Sequence, residues 1–114
     1  RVMETIYNID GAQLNKCEID ILQFVDSWLP TFQTWSVQEL SQKCGLFTDE
    51  ASHAVDMLIL HGLMENTDED ELTGRVVQVP DIAQEWLREN AETIYGLYIM
   101  NDTDQFDDSE TAIA

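Results

Sequence analysis

Residues 35–79, WSVQELSQKCGLFTDEASHAVDMLILHGLMENTDEDELTGRVVQV, hold the densest run of structural signals in the chain. Ser36-Val37-Gln38-Glu39 fits a capping box, in which the serine hydroxyl accepts from the Glu39 amide and the Glu39 side chain reaches back. Val37, Leu40 and Cys44 follow at i, i+3 and i+7, the apolar face of a short helix. Gly45 supplies a left-handed stop. Thr48 reads as the N-cap of a second helix, with Asp49 and Glu50 at its positive end. Ala51, Ala54, Val55, Leu58 and Ile59 form its inner stripe, and Gly62 ends it. Leu63-Met64-Glu65-Asn66 and Arg75-Val76-Val77-Gln78-Val79 read as two strands, with residues 67–74 as the hairpin tip.

Upstream, residues 1–15 are a short lead in which Ile6, Ile9 and Leu14 suggest a strand or a partial helix. Asn15-Lys16-Cys17-Glu18 is a second capping arrangement, and Cys17, Ile21, Val25 and Trp28 recur at helical spacing beside Leu22 and Leu29. The spacing predicts a helix over 16–29, closed by Pro30. Thr34-Trp35 is a brief extended segment. Downstream, Pro80-Asp81 opens a long final helix with Asp81 as its N-cap. Ala83, Leu87, Ala91, Ile94 and Tyr98 form its stripe, widened by Ile82, Trp86 and Leu97. Beyond Ile94 the helix is apolar on most sides, and such a helix is normally buried. That predicts a homodimer through Ile94, Tyr95, Leu97, Tyr98 and Ile99; the alternative is that residues 1–14 fold back to cover it. Residues 101–114 read as an acidic flexible tail.

This order of helix, tight turn, helix and hairpin, over residues 16–100, resembles the winged helix-turn-helix superfamily. The resemblance implies a mainly α domain with a small β-hairpin and a long C-terminal helix. It also implies that the second helix of the turn enters the major groove while the hairpin touches the backbone. The matching helix positions are Asp49, Glu50, Ser52, His53 and Asp56, and the matching tip is Asp68-Glu69-Asp70-Glu71. None of them is Lys or Arg, which departs from the pattern of a DNA-binding member.

Composition sharpens that departure. The 114 residues carry a net charge of −18, against a magnitude of about 2–8 for a typical small domain. Only Arg1, Lys16, Lys43, Arg75 and Arg88 are positive, and −15 of the total falls after residue 47. Non-specific affinity for DNA comes from neutralising phosphates with Lys and Arg, so direct DNA binding is disfavoured on this count. Asp81, Glu85, Glu89 and Glu92 follow at i, i+4, i+8 and i+11, one acidic row on the last helix. Together with Asp49, Glu50, Asp56, Asp68, Glu69, Asp70 and Glu71 they suggest a surface that imitates a phosphate backbone and is steered onto a basic nucleic-acid-binding protein. In charge and size this is similar to phage-encoded DNA-mimic inhibitors of the anti-restriction and anti-CRISPR kind. The leading expectation is such an inhibitor, cytoplasmic in a host cell. A salt-adapted organism is an alternative source of the charge. The alternatives in function are a winged-helix transcriptional regulator and a protein-interaction module docking through an apolar strip of His53, Met57, Leu60 and Met64.

Enzyme signals are missing from the sequence: it has no Gly-rich phosphate loop, no nucleophile elbow and no locally supported Ser/His/Asp arrangement. No catalytic, cofactor or metal site is expected. Asp68–Glu71 lacks the glycine turn and spaced ligands of a calcium loop. Cys17 and Cys44 occupy apolar helical positions and read as two buried thiols of a reducing compartment, without a CxxC pair or a second ligand near His53 or His61. No membrane-length apolar run or signal peptide is visible, and Met3 reads either as a natural start or as part of a fragment.

Overall fold

The computed structural model describes residues 5–31, 33–67 and 75–113, the stretch 101–113 by its backbone alone. Four helices and five short strands follow one another as β1 (Tyr7–Ile9), β2 (Ala12–Leu14), α1 (Lys16–Trp28), β3 (Thr34–Ser36), α2 (Val37–Cys44), α3 (Thr48–Leu60), β4 (Glu65–Asn66), β5 (Val76–Gln78) and α4 (Asp81–Ile113). The architecture is mainly α with small antiparallel sheets, as the sequence predicts.

The local chemistry accounts for most boundaries. Asn15 caps α1: its side chain accepts from the Glu18 amide at 2.9 Å, and the Glu18 carboxylate accepts from the Asn15 amide at 2.9 Å. Both residues are buried, so this reciprocal pair removes two amides that water cannot reach. Ser36 caps α2 by accepting from the Glu39 amide at 3.0 Å, and Gly45 closes that helix at φ +68°, in the left-handed region where a side chain is strained.

Two predicted N-caps are corrected by one residue. Phe47, not Thr48, holds the cap of α3: its carbonyl accepts from Ala51 at 2.9 Å, and its amide donates to the Glu50 carboxylate at 3.0 Å. Pro80 does the same for α4, its carbonyl accepting from Gln84 at 2.9 Å, so Asp81 is the first helical residue. A main-chain carbonyl can start a helix whatever side chain stands there, which is why the side-chain preference misplaced both starts.

The lead resolves into a hairpin. β1 and β2 pair antiparallel, with Ile9 opposite Ala12, around Asp10 and Gly11, both at positive φ. An Asp-Gly pair of this kind suits a two-residue turn whose twist matches the strands, and it is the signal that marks this hairpin in the sequence. Ile9, Ala12 and Leu14 are buried, and β1 packs beside α4.

The second sheet has the order β3-β5-β4, all antiparallel. Trp35 faces Val77 on one side of β5, and Asn66 faces Val77 on the other. Three flanking hydrogen bonds extend the ladder: Val37 to the Arg75 carbonyl (2.8 Å), Thr67 to Val76 (3.0 Å) and Val79 to Gln33 (3.1 Å).

α1 is the hub of the core. It packs on α2, α3 and α4, and its Ile19, Ile21, Leu22 and Val25 are fully buried. Leu40 from α2, Val55 and Leu58 from α3, and Leu87 and Ile94 from α4 meet it in one cluster. Ile94 is 2% exposed, which removes it from the expected dimer surface: it lies at the same helical phase as Ala83 and Leu87 and is already covered within the chain. Met64 is likewise 2% exposed, so it leaves the expected apolar strip for the core at the entrance to β4. The backbone of 101–113 continues α4 as helix, where the sequence reading placed a loose tail.

The two cysteines form no disulfide and are half-buried at the seam of α1 and α2. Cys44 donates from Sγ to the Asp20 carbonyl at 3.8 Å. Burial pushes its thiol from 9.0 up to about 12, with the charges of Asp20 and Cys17 acting in the same direction. A raised folded-state value favours the neutral thiol in the fold. The stability is therefore complete below pH 9.0 and is lost as pH rises from there through about 12. Iodoacetamide at pH 9 is expected to label Cys44 at least ten-fold more slowly in the folded chain than in urea, and Cys44→Ala to flatten the alkaline decline in stability. Equal labelling rates would contradict the buried seam. On packing, Leu87→Ala is expected to cost about 2–5 kcal/mol in urea denaturation, whereas the exposed Glu85→Ala should stay within about 0.5 kcal/mol.

Candidate nucleic-acid interface

α2, the left-handed turn at Gly45 and α3 form a helix-turn-helix, and β4–β5 form the base of a wing directly after it. Four of the five residues expected in the inner stripe of α3 are buried, Ala51, Ala54, Val55 and Leu58 all at or below 1% exposure, while Ile59 packs only partly against the core. That burial turns a single face of α3 outward. Asp49, Glu50, His53, Asp56 and Leu60 are exposed on it, with Ser52 and Met57 half-buried at its edges.

The wing is attached to that face by one cation. Arg75 Nη2 lies 2.7 Å from Asp56 Oδ1, and Arg75 Nε donates to Asn66 Oδ1 at 2.9 Å. The pair thus joins the middle of α3 to both strands of the wing. At the base of the wing Thr67 Oγ1 donates to the Val76 carbonyl at 3.2 Å, and the Gln78 amide donates to the Glu65 carboxylate. Asp68, Glu69, Asp70 and Glu71, the expected acidic tip, lie outside the described residues.

Among the described residues the candidate acids fall on two helices, α3 and α4. Asp81, Glu85, Glu89 and Glu92 are all exposed and do share a row on α4. α4 packs on α1 and β1, while α3 packs on α1 and α2. On α3 the charges are partly committed already: Asp56 is ion-paired and Glu50 accepts a cap amide.

Of the other expected surfaces, the strip on α3 keeps His53 and Leu60 as exposed members, with Met57 half-buried. The C-terminal part of α4 keeps Tyr95, Ile99 and Met100 at 40–54% exposure, while Leu97 and Tyr98 pack partly against the core. Tyr95 and Tyr98 stack with ring centroids 6.4 Å apart. The sequence reading passed over Phe47, 79% exposed at the cap of α3, and a cleft of about 520 Å³ walled by Phe24, Trp28 and Trp35 and rimmed by Thr34, Glu39 and Lys43. The cleft joins α1, β3 and α2, and only the fold brings those segments together. Among the described residues no cluster of His, Cys, Asp and Glu could hold a metal ion, and no helix is long and apolar enough to cross a membrane.

No protein-family model and no curated protein matches the chain. Solved structures do match. A MarR family transcriptional regulator from Silicibacter pomeroyi DSS aligns with a TM-score of 0.57 at 15% identity, over 88% of this chain and 69% of that one. A MarR family regulator from Neisseria meningitidis aligns with a TM-score of 0.53 at 15% identity, over 88% of this chain and 74% of that one. The expectation of a DNA-mimic inhibitor of phage origin is corrected on this finding: the chains that share the fold are described as regulators. At this level of identity the likeness establishes the architecture, and the chain has a winged-helix fold.

Proposed function

We propose that this protein is a winged-helix transcriptional regulator that binds duplex DNA through the outward face of α3 and the adjoining wing. The observation that carries the reading is the assembly itself. A helix of 13 residues is seated by its inner stripe, exposes Asp49, Glu50, His53 and Asp56 on its outer face, and is flanked by a wing anchored to it. The printed roles of the matched solved chains support the same reading.

The acidity then defines what kind of binder this is. Arg75 is the single Lys or Arg between residues 48 and 80. Each neutralised phosphate contributes about −0.9 to the slope of log K against log salt. The slope for one protomer is therefore small, about −1, and base readout must carry a large share of the preference. Asp and Glu accept from the cytosine amino group in the major groove, while Ser and His offer further polar contacts. Asp49, Ser52, His53 and Asp56 are the residues placed to do this.

The protein acts as a homodimer in this reading, with Tyr95, Ile99 and Met100 of α4 as the contact. These three are exposed, large and apolar on one helix end, and two copies would shield each other's surface. A second reading, a module that docks a protein partner, is favoured by one observation: Phe47 and Leu60 are 79% and 75% exposed at the two ends of α3.

Selection of duplexes from a random pool at low salt, followed by anisotropy titration, tests the regulator. The expected result is a preferred sequence bound with a shallow salt slope, weakened roughly ten-fold or more by His53→Ala with Asp49→Ala. Recovery of no preferred duplex sinks the reading and leaves the docking module. Sedimentation tests the dimer: Tyr95→Glu with Ile99→Glu should yield monomer at concentrations where the unmodified chain is dimeric, and a chain that is monomeric throughout would remove the proposed contact.

A further inference from the structure

The guanidinium of Arg75 is the single Lys or Arg group that residues 48–80 offer to a phosphate, and it is already engaged. Its Nη2 meets Asp56 Oδ1 at 2.7 Å and its Nε meets Asn66 Oδ1 at 2.9 Å. Those two nitrogens form the side-on fork that pairs with a carboxylate or phosphate in parallel fashion. The fork is therefore filled from within the chain. It is not sealed, since the Arg75 side chain is 32% exposed and that of Asp56 is 56% exposed. An ion pair this open is weak and easily exchanged, and salt screens it.

From this geometry we propose that Asp56 is an internal competitor for the phosphate backbone. Docking on a duplex transfers Arg75 Nη2 from the Asp56 carboxylate to a DNA phosphate, while Nε keeps its bond to Asn66. The exchange frees Asp56, on the outward face of α3, to accept a hydrogen bond from a base edge. One event thus couples the backbone contact of the wing to base readout by the helix. On a duplex whose groove offers no donor to Asp56, the freed carboxylate stays unpaired beside the phosphates, and the exchange is unfavourable. Asp56 then suppresses non-specific binding by a helix and wing, residues 48–80, that hold no other Lys or Arg. This inference rests on the regulator reading and names the residue that governs its specificity.

A merely structural role makes the opposite prediction. If the ion pair only braces the wing, removing it loosens the interface and weakens binding. Asp56→Asn keeps a hydrogen-bond acceptor toward Arg75 but lowers its hold on the guanidinium. The probes are two labelled duplexes, one selected by the unmodified chain and one of unrelated sequence, titrated by anisotropy at low and high salt. Asp56→Asn is expected to tighten the unrelated duplex roughly three- to ten-fold at low salt and so to narrow the preference for the selected one. The gain should vanish in the Asp56→Asn, Arg75→Gln double variant. Asp49→Asn, which removes the same charge from the same helix at its N-terminal end, should give a smaller gain that does not depend on Arg75.

Thermal melting of each variant separates a loss of fold from a loss of contact, and Asp56→Ser serves as a second substitution. Weaker or unchanged binding by folded Asp56→Asn overturns the competition, as does a gain that survives in the double variant. In those cases the unmodified chain still binds its selected duplex and the regulator reading stands. If neither the unmodified chain nor any variant binds DNA, the regulator reading fails and the competition falls with it.

Discussion

Strand β5 is hydrogen-bonded on both sides, and the functional half of the molecule depends on that. Its partner on one side is β3, which leads into α2; its partner on the other is β4, which leaves α3. Three residues of β5 therefore close the ends of the helix-turn-helix on a single sheet. Trp35 and Val77, opposite each other and both buried, add the side-chain component of that closure. Without this strand the two helices would be joined only by their own packing, and the wing would have no fixed relation to α3. The Asp56–Arg75 pair acts across the same junction, because Arg75 immediately precedes β5 and its carbonyl accepts from the first residue of α2.

A second dependence runs through α1. It touches every other helix, so its start and its phase must both be right. The reciprocal cap between Asn15 and Glu18 sets the start, and the Lys16–Asp20 pair at 2.9 Å supports the first turn. The phase then places Ile21, Leu22 and Val25 against three helices at once.

Net charge acts over distances of about one Debye length, roughly 8–10 Å in ordinary buffers. Beyond that, a surface is governed by its own neighbours. The wing junction illustrates the point, since its only cation is held by a carboxylate and an amide of the same chain. Counting charges by segment treats all carboxylates as equivalent. The structure distinguishes those that cap a helix, those that pair with a cation and those that face solvent.

The sequence alone determined most of the elements: the capping residues Asn15 and Ser36, the left-handed Gly45 and the helical stripes are local signals, written within a few residues of where they act, whereas the β1–β2 pairing and the helical backbone of 101–113 emerge only in the structure. The winged-helix order was legible for the same reason, and so was the inward phase of α3. What only the tertiary structure decided were relations between distant segments. Ile94 and Met64 have the chemistry of surface anchors by their position in a run, yet they are consumed by the core because α1 and the sheet approach them. Asp56 and Arg75 lie 19 positions apart and share no periodic pattern, so nothing local announces their ion pair. Whether the acidic rows form one surface depends on how the helices that carry them pack, and packing acts through space, while pattern acts along the chain.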